Sequence, residues 1–187
     1  QKIPSPWHVV AQSMGAAVVM DYLLTEQVDE QSGPFQRVML LAPLVRPAKW
    51  RGVAFLYWIL KGFISRVSRT FSANTHDEVF LALVKNRDPL QTRHIPVRWV
   101  SAMLYWEKRF RTLAWNDKEI LVVQGEADTT VDWQYNIGAI KDKFPKAKFF
   151  RITEGRHHLA AESGEPAERL IQAADMYFDR RREPRNQ

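Results

Sequence analysis

The feature that most constrains this chain is a set of short, nearly continuous apolar runs. They are residues 7–12 (WHVVAQ), 37–44 (RVMLLAPL), 119–124 (EILVVQ) and 148–153 (KFFRIT). A strand with one wet face alternates apolar and polar residues. A strand covered on both faces does not, and such strands belong to parallel sheets flanked by helices. Residues 7–12 therefore read as a short buried strand, and the other runs read likewise. The run at 148–153 is the weakest because Arg151 interrupts it. Helical patterns cover 16–25, 133–144 and 165–180, the last opened by Pro166. Strand, helix, strand, long insert, strand, helix, strand, helix is the rhythm of an α/β protein with a mostly parallel sheet and flanking helices.

The insert spans residues 47–116, far more than a connection of a few residues. It carries helical patterns at 53–63, 77–85 and 97–113, punctuated by Asp88-Pro89 and Ile95-Pro96. It is expected to form a helical cap over the sheet edge. Residues 1–46 and 117–187 then make the core, and 47–116 the cap or lid. A length of 187 residues suits one such domain with a sizeable core. The absence of cysteine excludes disulfides and thiolate metal sites. No apolar run reaches the roughly 20 residues of a bilayer span.

The formal charge is +6, and its distribution says more than its sum. Arg46, Lys49, Arg51, Lys61, Arg66 and Arg69 fall in one stretch that has no acidic residue. Trp50, Phe55, Tyr57, Trp58 and Phe63 are interleaved with them. A second basic run, Arg180, Arg181, Arg182 and Arg185, reads as a solvated tail. Neither run comes with a helix-turn-helix, RNP or zinc-finger pattern, so nucleic acid is not expected as a partner.

Three constellations carry chemistry. The first is Ala11-Gln12-Ser13-Met14-Gly15, between a strand and a helix. This is the x-x-Ser-x-Gly pattern of a nucleophile elbow, a sharp turn that lifts a serine hydroxyl above the sheet. It puts the Met14 N–H at a helix N-terminus, where it can donate to a developing oxyanion. A plain helix N-cap serine is the other reading of the same residues. The second is Gly125-Glu126-Ala127-Asp128, directly after the third strand, where an open sheet places site residues. Asp128 is the candidate acid, with Glu126 and Asp132 as rivals. The third is Gly155-Arg156-His157-His158 after the fourth strand, which offers a base that an acid can orient. Ser13, then Asp128, then a histidine is the chain order of the α/β-hydrolase triad.

On HVVAQSMG, VVQGEADTTVD, GRHHLAAES and the cap segment KNRDPLQTRHIPVRWVSAMLYW, the chain resembles the lysophospholipase and monoacylglycerol-lipase-like branch of the α/β-hydrolases, sometimes grouped with serine aminopeptidases. The resemblance spans nearly the whole chain. It implies Ser13 as nucleophile, Asp128 as acid and a histidine as base. Arg156-His157 with Glu162 downstream fits the family's run better and selects His157. Counting from Gly155 selects His158, which stands as the alternative base. The family has about eight strands and its serine normally follows the fifth, whereas here it follows the first. The resemblance thus implies a C-terminal part of an α/β-hydrolase fold that lacks its N-terminal half and one oxyanion donor, and that leaves the normally central strand at 7–12 as an exposed apolar edge. A lost donor costs roughly 2.7–4 kcal/mol of transition-state stabilisation, so activity is expected of the complete protein.

The implied function is hydrolysis of carboxylic esters through an acyl-enzyme, on lysophospholipid or monoacylglycerol. Peptidase or other α/β-hydrolase activity is the alternative, as is a non-catalytic module that binds a lipid surface or a partner. No cofactor or metal is implied. The apolar stretch 50–63, flanked by basic residues, is expected to line an acyl pocket or to rest on a membrane. The expected location is the cytoplasm, peripheral to the inner membrane; N-terminal targeting is not legible in this chain.

Overall fold

The computed structural model describes residues 7–29, 33–69 and 72–179. Strand β1 (Trp7–Gln12) turns at Ser13 into helix α1 (Met14–Thr25), and β2 (Phe35–Leu41) follows. Next come α2 (Trp50–Leu60), β3 (Arg66–Ser68), α3 (Glu78–Asn86), β4 (His94–Pro96) and α4 (Val97–Thr112). The chain then returns to the main sheet with β5 (Leu121–Gly125), α5 (Trp133–Lys143), β6 (Lys148–Ile152) and α6 (Glu165–Phe178). A short 3-10 turn, Leu159–Ala161, precedes the last helix.

The main sheet has the order β1-β2-β5-β6, and its strands pair in parallel throughout. Successive side chains on a strand point to opposite faces. Val38 and Leu40 of β2 join Ile120 and Val122 against α1 and α5, around Met20, Leu23, Ile140 and Phe144. Met39 and Leu41 join Leu121, Val123 and Ile152 against Ala173 and Tyr177 of α6. Both faces are covered, so the sequence runs apolar without alternation.

The structure corrects several expectations. β1 is not buried. It ends the sheet order, and Trp7 and Val10 are 42% and 55% exposed. Among the described residues only β2 pairs with it, so its valines have one covered flank. The second strand stops at Leu41 rather than 44, because Ala42 turns to φ 43° and Pro43 has no N–H for a ladder. Leu44 and Val45 stay buried, but in a loop. The third strand starts at Leu121 and includes Gly125. The insert holds three helices and also a small antiparallel ribbon, β3 with β4, that the sequence did not suggest. Arg180, Arg181, Arg182 and Arg185, and the end of the predicted 165–180 helix, lie outside the described residues.

The insert is fixed to the core next to the site. Leu44 and Val131 pack with Trp50 and Met103 from the insert. Arg46 bonds Asp132 at 2.6 Å, lies 3.7 Å from Glu107 of α4, and stacks 3.5 Å over the Tyr135 ring. Trp50 donates to Glu107 and Trp106 donates to the Leu44 carbonyl, at 2.6 and 3.0 Å. The outer side of α2 is uncovered, with Phe55, Leu56, Trp58 and Ile59 all more than half exposed. Among the described residues no helix is long and apolar enough to cross a membrane.

Candidate active site

Ser13 sits between the last residue of β1 and the first of α1, at φ 54° and ψ −114°. A non-glycine residue there is held at a cost of about 1–3 kcal/mol, so its surroundings must fix it. They do so through the backbone. Ser13 N–H donates to the Leu41 carbonyl, and the Ser13 carbonyl accepts from Ala17 and Leu44. A Cβ at position 15 would lie 3.9 Å from the Ala11 Cβ, an ordinary contact. Alanine is therefore small enough for the position where elbows usually carry glycine. Met14 opens α1, and the first N–H groups of a helix have no intrahelical partner.

Asp128 follows β5 and is buried. Its Oδ1 accepts from the Thr130 and Val131 N–H groups at 2.7 and 3.2 Å. Its Oδ2 accepts from Gln124 Nε2 at 3.2 Å and lies 2.8 Å from His157 Nδ1. His157 is also buried, and its Nε2 lies 2.9 Å from Ser13 Oγ. An ionised carboxylate can only accept, so Nδ1 carries the proton and Nε2 accepts from the serine hydroxyl. The structure thus joins Ser13, His157 and Asp128 in one hydrogen-bonded line. It leaves the rivals elsewhere: Glu126 pairs with Arg151, and Asp132 caps α5 and holds Arg46.

Two glycines make that line possible. A Cβ on Gly125 would lie 2.1 Å from the Gly155 carbonyl oxygen and 2.4 Å from its carbon. The loops that carry Asp128 and His157 therefore touch backbone to backbone. Glu126 and Ala127 N–H donate across the contact to the Ile152 and Gly155 carbonyls.

His158 lies beside the line. Its ring meets His157 and Phe80, at centroid distances of 5.5 and 5.8 Å. Gln12 Nε2 is 3.2 Å from its Nδ1, while Gln12 Oε1 accepts from Ala160 N–H. A backbone N–H can only donate, so the amide orientation is fixed, Nδ1 of His158 is an acceptor, and Nε2 carries the proton. Burial, with the nearby His157 and Arg69, holds the His158 pKa below its ordinary value. Ser13 is bonded to His157 instead.

The support from the insert had no signal in the sequence. Thr75 is fully buried; its hydroxyl donates to the Ala161 carbonyl and its own carbonyl accepts from Arg156. His158 N–H donates to the Asn74 carbonyl. Glu162 accepts from the Arg156 and His76 N–H groups, at 2.7 and 2.8 Å, and from Thr75 Oγ1. Burial pushes the Glu162 carboxyl up. The backbone bonds from His76 and Arg156, with side-chain bonds from His76 and Thr75, outweigh it and hold the pKa below the usual value. Met14 N–H, at the start of α1, is placed beside Ser13. Among the same residues no group of three His, Cys, Asp or Glu side chains stands where it could hold a metal.

A four-stranded parallel sheet with an elbow serine and a helical insert defines the chain as an α/β-hydrolase. Residues 1–164 match the family described as Serine aminopeptidase, S33, and the chain belongs to that family. Solved structures agree on the fold. A soluble variant of the monoglyceride lipase of Saccharomyces cerevisiae superposes with a TM-score of 0.73 at 15% identity, covering 93% of this chain and 61% of that one. The monoacylglycerol lipase of Paleococcus ferrophilus gives 0.69 at 13% identity, covering 88% and 65%. Mouse alpha/beta hydrolase domain-containing protein 10 gives 0.55 at 12%, covering 93% and 61%. The chain thus spans less than two thirds of the length of these relatives. No curated protein matches its sequence.

Proposed function

We propose that the protein is a serine hydrolase that cleaves carboxylic esters of lipids through an acyl-enzyme. The observation that carries this reading is the line from Asp128 through His157 to Ser13, with bonds of 2.8 and 2.9 Å. Ser13 Oγ attacks the ester carbonyl while its proton passes to His157 Nε2. Met14 N–H faces the oxyanion, and Asp128 stabilises the imidazolium. The ester C–O bond then breaks and His157 returns the proton to the leaving alcohol. Water, deprotonated by the same histidine, releases the acid and restores the serine.

The substrate class follows from an apolar groove of about 360 Å³ that starts at Met14 and Leu44 and runs between Val18 of α1 and Trp99, Met103 and Trp106 of α4. Its lining suits an acyl chain, and the named activities of the two lipases above agree with it. Lysophospholipids and monoacylglycerols both fit this description. The exposed apolar side of α2, with Lys49, Arg51 and Lys61 on or next to the helix, suits contact with an anionic membrane from which such substrates are drawn.

The test is labelling of the protein with a fluorophosphonate probe, followed by turnover of a panel of acyl esters and aminoacyl peptides. Labelling should vanish in Ser13→Ala, and esters should be turned over in preference to peptides. Labelling that persists in that variant would remove Ser13 as nucleophile. Preference for peptides would favour the aminopeptidase activity that the family description names.

A further inference from the structure

Gln12, the last residue of β1 and the neighbour of Ser13, reaches across to the loop that carries His157. Its backbone is locked into the sheet opposite Leu41. Its carboxamide uses both ends. Oε1 accepts from the Ala160 N–H at 3.1 Å, and Nε2 lies 3.2 Å from His158 Nδ1. Ala160 belongs to the short turn Leu159–Ala161, whose N-cap residue, His158, makes no side-chain capping bond. The first N–H groups of a helical turn lack partners within the turn. Gln12 therefore supplies, from a strand almost the whole chain away, the acceptor that a local cap would give.

This bridge runs beside the reacting pair. Residue 12 is tied to residues 158 and 160, while Ser13 Oγ lies 2.9 Å from Nε2 of His157 between them. Other ties of the same loop lead elsewhere. Glu126, Ala127 and Asp128 join it to the end of β5, and Asn74, Thr75 and His76 join it to the insert. Gln12 joins it to the strand that carries the nucleophile. The two halves of the reaction need that tie unequally. Before attack, the Ser13 hydroxyl donates to His157 Nε2 and helps to hold the ring. In the acyl-enzyme Oγ is an ester oxygen with no proton to donate, so that bond is gone when His157 must aim at a water. Asp128 still holds Nδ1, but the distance from the ring to the ester is then set by the loop. We propose that Gln12 is a positioning residue, whose carboxamide keeps His157 at working distance from residue 13 and acts most strongly on deacylation. This rests on the serine-hydrolase reading above and deepens it.

The test has two arms that fail separately. In the first, Gln12→Met, which keeps the side chain's length and removes its polar end, is given p-nitrophenyl butyrate, with thermal unfolding followed on the same sample. Single-turnover release of p-nitrophenol reads acylation, and decay of the acyl-enzyme by mass spectrometry reads deacylation. Deacylation should slow by about tenfold or more and acylation by clearly less, so that acyl-enzyme accumulates. His158→Ala removes one of the two bonds and should give part of this deficit, and the double variant should be no worse than Gln12→Met alone. A folded Gln12→Met that slows both steps equally, or neither, would overturn the proposal, as would additive deficits in the double variant. The second arm needs no turnover. Ser13→Ala also leaves His157 Nε2 without its bond to residue 13, and the low-field proton resonance of His157 Nδ1–H reports how firmly the ring is held. Adding Gln12→Met to Ser13→Ala should broaden that resonance by faster exchange with water; a line as sharp as in Ser13→Ala alone would overturn the proposal. A wild-type protein that neither acylates nor reacts with a fluorophosphonate would strike the hydrolase reading, while the resonance still decides whether Gln12 holds the ring.

Discussion

The contact between Gly125 and Gly155 gives a sharp test of how the site is held. Replacing Gly125 with alanine puts a methyl carbon 2.1 Å from the Gly155 carbonyl oxygen, 2.4 Å from its carbon and 2.8 Å from the Arg156 carbonyl oxygen. Those atoms are backbone and cannot swing aside. Ordinary contact begins near 3.4 Å, so the Asp128 loop and the His157 loop must part by about 1 Å or more. His157 stands two residues beyond Gly155 and Asp128 three beyond Gly125. The 2.8 Å bond between them therefore stretches past hydrogen-bonding range. A misplacement of about 1 Å in a catalytic constellation costs on the order of 100-fold in rate, and overpacking of this kind destabilises by about 1–3 kcal/mol. The rate at which a fluorophosphonate labels Ser13 in Gly125→Ala should fall by that factor, with thermal unfolding recorded on the same sample. Gly138→Ala on α5 is the control, since a Cβ there meets nothing within 4 Å. It should label at the wild-type rate and gain up to about 1 kcal/mol in stability from helix propensity. A folded Gly125→Ala protein that labels at the wild-type rate would refute the claim that this contact sets the geometry.

Ser13→Gly should abolish labelling and raise stability by about 1 kcal/mol, because glycine adopts φ 54° without strain; calorimetry that finds a loss of stability would contradict the strained elbow. Glu162 has a folded pKa held below its ordinary value, so its contribution is present above that ordinary value and is lost as pH falls through the lowered one. Glu162→Gln should therefore narrow its stability deficit as pH falls through the acid range, and unfolding curves that keep a constant gap would count against this assignment. Phe55→Asp with Trp58→Asp should lower co-sedimentation with anionic vesicles and also the weaker binding to zwitterionic ones; equal binding by both proteins would remove α2 as the contact.

The strands were legible because both faces of β2 and β5 are covered, which writes a continuous apolar run into the sequence. The same rule misled where an apolar run is buried for another reason. Leu44 is apolar because it packs with Trp50 in a loop, and Val45 because it joins the core around Val38 and Phe110, not because they extend a strand. The valines of β1 have the composition of an interior strand although the strand lies at an edge. Ser13, Asp128 and His157 were legible because each follows a strand in a fixed order, and the order needs no knowledge of contacts. The choice between His157 and His158 rested on register alone, whereas the structure distinguishes them by the separate bonds to Ser13 and Gln12. The ribbon of β3 and β4 escaped because three-residue strands carry no period, and Pro96 reads against one. Thr75, His76 and Asn74 escaped because their partners lie more than fifty residues away, at Thr130, Arg156, His158, Ala161 and Glu162.

That last set of bonds bears on how the molecule can be rebuilt. An inserted cap looks like a part that could be exchanged for another to alter substrate preference. Here the turn carrying His157 is bolted to residues 74–76 of the insert, through Asn74, Thr75 and His76. A chimera that grafts a foreign lid onto this core would discard those bolts and loosen the histidine, whatever pocket it brought. A successful graft must keep residues 74–76 with the host, so the boundary of the exchangeable part runs through the insert and not around it.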